Sequence, residues 1–109
     1  MATRYDAVVI GAGPAGEGAA MKLVKEGRRV AVIDQLGEVG GNCAHVGTIP
    51  SKALRQTVYN LMRFRRDPLL SRMADIRSLP LSQVLARAHK VIETQVNTHH
   101  RFFERNDVD

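Results

Sequence analysis

The stretch Tyr5-Asp6-Ala7-Val8-Val9-Ile10-Gly11-Ala12-Gly13-Pro14-Ala15-Gly16 decides how this chain folds. Residues 5 to 10 read as a buried strand, and they run directly into a glycine turn. In a Gly-x-Gly-x-x-Gly pattern each glycine has its own task. Gly11 permits the tight turn, Gly13 lets the backbone approach a pyrophosphate, and Gly16 allows a helix to pack closely on the strand. The helix that begins here offers free N–H groups and a positive dipole end to the phosphates, so no lysine is required. Pro14 falls in the first helical turn, where its missing N–H has no consequence.

Three glycines alone are a common pattern, and the context gives this one weight. Ala15, Ala19, Leu23 and Val24 form the apolar face of a helix, Gly27 is placed to end it, and Val30-Ala31-Val32-Ile33 reads as a second buried strand. That strand stops at Asp34, 18 residues beyond Gly16. The spacing is near the roughly 20 residues expected for a carboxylate that accepts hydrogen bonds from an adenosine ribose. Both FAD and NAD present an ADP moiety to such a turn, so the turn leaves the choice between them open.

The segment that follows is Gly40-Gly41-Asn42-Cys43-Ala44-His45-Val46-Gly47-Thr48-Ile49-Pro50-Ser51-Lys52-Ala53-Leu54. It resembles the flavin-facing element of the pyridine nucleotide-disulfide oxidoreductases, where two cysteines separated by four residues lie on a helix beside the flavin ring. Here the pair is Cys43 and Thr48. A threonine hydroxyl forms no disulfide and supplies no thiolate, so dithiol exchange is excluded at this position. Within that superfamily the segment is similar to the soluble pyridine nucleotide transhydrogenases.

The resemblance implies an α/β fold, the N-terminal part of a Rossmann-like FAD-binding domain whose parallel sheet is incomplete in this chain. Residues 1–109 are expected to be a partial FAD-binding domain, with NAD(P)-binding and dimerisation domains lying outside them. One FAD per subunit is implied, with Gly11, Gly13, Pro14, Ala15 and Gly16 at the pyrophosphate and Asp34 on the ribose. Gln35, Leu36, Gly37, Glu38, Val39, Gly40, Gly41, Asn42 and Cys43 would line the path from adenosine to flavin. Lys52 would sit near the reactive edge of the ring, where a fixed cation stabilises negative charge that develops as a hydride arrives. Cys43 then packs beside the ring without relaying electrons, and Thr48 occupies its partner's place.

The implied activity is Si-specific NAD(P)+ transhydrogenation, a hydride exchange between NADPH and NAD as small-molecule substrates in a homo-oligomer. Residues 1–109 by themselves are expected to be inactive. Two alternatives stay open. One is a flavoprotein of the same superfamily, similar to dihydrolipoamide dehydrogenase, that serves an acceptor other than a disulfide. The other is a non-catalytic FAD-binding fragment.

Beyond the flavin element, Ser51 to Phe64 continues as a helix with Leu54, Val58, Leu61 and Met62 on one face, and it breaks at Asp67-Pro68. A second long helix starts from Pro80, with Leu81, Val84, Leu85, Ala88, Val91, Ile92 and Val96 as a core-facing stripe that Phe102 and Phe103 extend. A third strand is expected around Asp107-Val108. No internal repeat interrupts this order.

The formal net charge is +5, and Arg63, Arg65 and Arg66 flank Phe64 in the densest basic cluster. These arginines fall at a helix end, where cations suit the dipole, and no nucleic-acid motif accompanies them. A nucleic-acid partner is therefore not expected. Cys43 is the single cysteine of these 109 residues, so they hold no local disulfide and no metal-binding cysteine cluster. His45 reads as a packing or hydrogen-bonding residue, and His99 and His100 as a wet helix surface, because neighbouring helical residues point in different directions. No metal is expected. Met1-Ala2-Thr3-Arg4 leads straight into a strand without a signal segment, and no run is long enough to span a membrane. A cytoplasmic location is expected.

Overall fold

The computed structural model describes residues 2–73 and 78–109. Strand β1 (Ala7–Ile10), helix α1 (Pro14–Lys25) and strand β2 (Val30–Ile33) come first, and β1 pairs parallel with β2 from Ala7↔Val30 to Ile10↔Ile33. The short helix α2 (Gly41–His45) follows, then α3 (Thr48–Arg66), a 3₁₀ turn (Leu70–Arg72) and the long α4 (Leu81–Arg105). The α/β reading holds, with a two-stranded parallel sheet and helices around it.

Strand β1 begins later than the sequence suggests. The N–H of Asp6 bonds to the Arg29 carbonyl at 2.8 Å, and the Asp6 carboxylate accepts the Arg29 N–H, also at 2.8 Å. Asp6 thus clasps the approach to β2, with the Arg29 guanidinium 5.3 Å from the Tyr5 ring centre. At the other end β1 stops at Ile10, as the sequence suggests, and the Gly11 N–H closes the Ile10–Ile33 pair by donating to the Ile33 carbonyl at 2.7 Å. Among the described residues the expected third strand does not form: the sheet has two strands, and the chain meets β2 again only through two backbone bonds, Asp109 N–H to the Val30 carbonyl at 3.2 Å and Val32 N–H to the Asp109 carbonyl at 2.6 Å.

Helix α1 ends as its sequence dictates. Gly27 takes a φ of +75°, and the Gly27 and Arg28 N–H groups return to the Val24 and Leu23 carbonyls. Its buried side differs from the expected one, however. Ala20 and Met21 are buried, with Leu23 and Val24 partly so, whereas Ala15 and Ala19 face outward. The centre of that face is set by Gly16, where α1 lies closest to β1. Ala20, Met21, Val30 and Phe103 form the core, with Val9, Val32, Val39 and Val108 packed around them.

The strands are covered on one face only, which corrects the expectation that both are fully buried. Val8, Ile10 and Ile33 are 53%, 87% and 56% exposed. They share the face opposite α1, because alternate residues of a strand point to opposite sides. Helices α3 and α4 pack on each other and extend the molecule to 65 × 23 × 19 Å. The radius of gyration is 19.4 Å, against about 13 Å for a compact domain of this length. On α3 the buried position is Thr57, whose hydroxyl donates to the Ala53 carbonyl at 2.9 Å, while Val58 and Met62 stay open. On α4 the inward line runs through Val84, Ala88, Ile92, Val96 and Phe103, and Leu81, Leu85, Val91 and Phe102 lie off it. Among the described residues, no helix is long and apolar enough to cross a membrane.

Candidate functional site

Ala12, at the centre of the glycine turn, is 2% exposed and organises the site through its backbone. Its N–H donates to Asp34 Oδ2 at 2.9 Å, and its carbonyl accepts the Gly40 N–H at 2.8 Å. The other oxygen of Asp34 accepts the Leu36 N–H at 2.9 Å. These backbone bonds, from Ala12 first and Leu36 second, hold the Asp34 carboxyl below its ordinary pKa. An ionised carboxylate offers about four lone-pair sites, so both oxygens can still accept a ribose hydroxyl.

The glycines meet real constraints. A Cβ on Gly16 would lie 1.8 Å from the Gly11 carbonyl oxygen and 3.3 Å from a Val9 methyl. Gly41 has a φ of +56°, and a Cβ there would lie 2.9 Å from the Gly13 Cα. Gly13 and Gly41 therefore bring the starts of α1 and α2 together, and neither start carries a side-chain cap. First-turn N–H groups have no intrahelical acceptor, so this junction is a fit place for a diphosphate. His45 stiffens it: Nε2 donates to the Val39 carbonyl at 2.8 Å, which confirms its reading as a hydrogen-bonding residue.

A cavity of about 420 Å³ opens beside this junction, lined by Ala12, Asp34, Gly37, Glu38, Val39, His100, Phe103 and Val108 among others. The structure thus brings together the glycine turn, Asp34 and the loop to Gly41, as the sequence implied. Gln35, Leu36, Glu38 and Asn42 are exposed along that loop. Phe103 and Val108 were not anticipated here. Their contribution depends on the return of α4 to β2, for which no local pattern exists.

Cys43 and Thr48 do not share one helix. Cys43 is half-buried in α2, and Thr48 is the exposed first residue of α3. Between them the Asn42 carbonyl accepts both the Val46 and Gly47 N–H groups, at 3.0 and 2.8 Å, and closes α2. Pro50 explains the break. In a continuous helix its ring would collide with the Val46 carbonyl, whereas in the first turn of α3 its missing N–H is harmless. Lys52 is exposed and lines a separate cleft of about 480 Å³ between α3 and α4, with Gln56, Arg87 and Gln95.

The two adjacent histidines also depart from expectation. They do point in different directions, but His99 is no wet surface residue: its Nδ1 lies 2.5 Å from Glu17 Oε2 on α1. His100 reaches Glu38 at 3.5 Å on the cavity rim. The correction comes from tertiary packing that links α4 to α1. Among the described residues, no cluster of His, Cys, Asp and Glu could hold a metal ion. Arg63, Arg65 and Arg66 occupy the last turn of α3, with Arg63 over the Tyr59 ring.

The family model for pyridine nucleotide-disulphide oxidoreductases matches residues 5–108. The soluble pyridine nucleotide transhydrogenase of Azotobacter vinelandii is 50% identical over 105 residues, which are 96% of this chain and 23% of that protein. The Hahella chejuensis protein of the same name is 51% identical over 106 residues, 97% of this chain and 23% of its own length. The chain thus spans about a quarter of the relatives it matches. Among solved structures, the HOCl-induced flavoprotein disulfide reductase of Escherichia coli is similar at 27% identity with a TM-score of 0.71, covering 96% of this chain and 21% of that one.

Proposed function

Because the chain belongs to the pyridine nucleotide-disulphide oxidoreductase family, we propose that it forms the FAD-holding part of a soluble NAD(P) transhydrogenase, exchanging hydride between NADPH and NAD. The observation that carries this reading is the meeting of Asp34, Gly40 and the glycine turn at Ala12, together with Thr48 where a second sulfur would be needed. The starts of α1 and α2 receive the pyrophosphate, Asp34 accepts the ribose, and the cavity bounded by Val39 and Phe103 takes the adenosine. FAD, when bound, accepts a hydride from one nicotinamide and returns it to another.

The chain's own residues supply position and charge. Cys43 packs beside the ring and, lacking a sulfur partner, relays no electrons. Lys52, on the cleft between α3 and α4, is assigned by resemblance to the family to stabilise negative charge near the ring edge. The nicotinamide site, the homo-oligomer and a cytoplasmic setting belong to the same reading by similarity to the transhydrogenases.

The test is direct. The full-length protein is purified and denatured and its chromophore identified, then the native full-length protein is assayed for NADPH-dependent reduction of a thionicotinamide analogue of NAD. FAD release with turnover supports the reading. FMN or no flavin overturns it, and FAD with electron transfer only to a quinone or metal points to another activity of the superfamily.

A further inference from the structure

Glu17 stands in the first turn of α1, next to the N–H groups assigned above to a pyrophosphate. A carboxylate there suits the helix dipole but opposes an anion seated on the same helix end. From 82 residues away, His99 brings Nδ1 to 2.5 Å from Glu17 Oε2. The two side chains are only 28% and 23% exposed, so solvent screens the contact less than an open surface pair. Arg101 and Arg105 of α4 line the same cleft. Both are exposed, and the ion-pair partner of Glu17 among the described residues is His99.

We propose that His99 is a positioning residue for the dinucleotide turn. By binding the Glu17 carboxylate it holds that charge against α4, and the start of α1 then presents its positive end to a bound pyrophosphate with little opposition. This inference rests on the assignment of FAD to the turn. It gives α4, which lies far along the chain, a part in cofactor affinity that contact with the cofactor does not require.

The experiment titrates FAD into the apoprotein prepared from the purified protein, for the wild type, His99→Ala, Glu17→Gln and the double variant. His99→Ala should weaken FAD binding about tenfold, equivalent to about 1.4 kcal/mol. The loss should shrink as salt rises, because the released Glu17 charge becomes screened. Glu17→Gln should bind FAD at least as tightly as the wild type, and the double variant should regain wild-type affinity. If the pair merely docks α4 on α1, Glu17→Gln also weakens binding and the double variant is no better than His99→Ala. That outcome, or equal affinity in all four proteins, overturns the inference. Wild-type protein that binds no FAD refutes the cofactor assignment instead. Thermal unfolding of each apoprotein identifies a variant that does not fold, and His99→Asn is then read in place of the alanine.

Discussion

The Asp34 carboxylate receives the Ala12 N–H at 2.9 Å across 22 residues of sequence, fixing the glycine turn to the end of β2. The residue proposed to hold the ribose is thus also a structural strut for the glycine turn. Both roles need the ionised form.

Asp34→Ala should therefore loosen the turn and weaken FAD binding by about one to two orders of magnitude. The pH dependence has a defined sign. The folded pKa lies below the ordinary value of 3.8, so the stabilisation is complete above that value and is lost as pH falls through the folded pKa. Urea unfolding from pH 6 down to about pH 2 should show that Asp34→Asn loses less stability on acidification than the wild type does.

Gly16 and Gly18 should respond in opposite ways to the same substitution. Gly16→Ala forces a methyl into the Gly11 carbonyl and should destabilise the protein by about 1 to 3 kcal/mol or prevent folding. Gly18 lies inside α1, and a Cβ there has nothing within 4 Å. Gly18→Ala should stabilise by roughly 0.5 to 1 kcal/mol. Chemical denaturation of the two variants decides it, and equal effects would contradict the close approach described for α1.

In the full-length protein Cys43→Ser should keep most NADPH-to-NAD turnover, since Thr48 stands where a second sulfur would be needed for electron transfer. Lys52→Ala should slow flavin reduction far more, by about tenfold or beyond, because it removes the cation proposed to stabilise developing charge. Rapid mixing with NADPH measures both. A collapse of turnover in Cys43→Ser with an unchanged flavin spectrum would show that the lone sulfur carries chemistry.

The residues 1–109 produced alone should expose apolar surface, because Val8, Ile10 and Ile33 lie open on one sheet face. Strong fluorescence with a hydrophobic dye and concentration-dependent aggregation are expected. Ile10→Thr, which keeps a β-branched side chain, should reduce both. A monodisperse chain with sharp cooperative unfolding and no dye binding would contradict this.

The first βαβ unit was legible because each of its signals is local: the strand run, the glycine turn, Gly27 at the helix end and Asp34 after β2. The helix break between Cys43 and Thr48 was also encoded locally, in Pro50, but the paired-position pattern concealed it. The His99 contact with Glu17 and the packing of Phe103 could not be read in this way. They arise when α4 returns to α1 and β2, and periodicity reports which face of a helix is apolar without naming its neighbour. The same limit explains Ala15, Ala19, Val58 and Met62, apolar residues whose exposure depends on which elements pack beside them.

Both hydrogen-bonding groups of Ala12 are taken from far along the chain, the N–H by Asp34 and the carbonyl by Gly40. A turn sealed this way cannot reach its final geometry from its own sequence; it closes only after β2 has formed and the loop beyond it has come back. During synthesis the turn proposed to cradle the dinucleotide is therefore completed only after residue 40 has emerged, well after its own glycines. In the folded protein the Ala12 amide proton should exchange with solvent only when that whole unit opens. A single slowly exchanging amide then reports the assembly of the site.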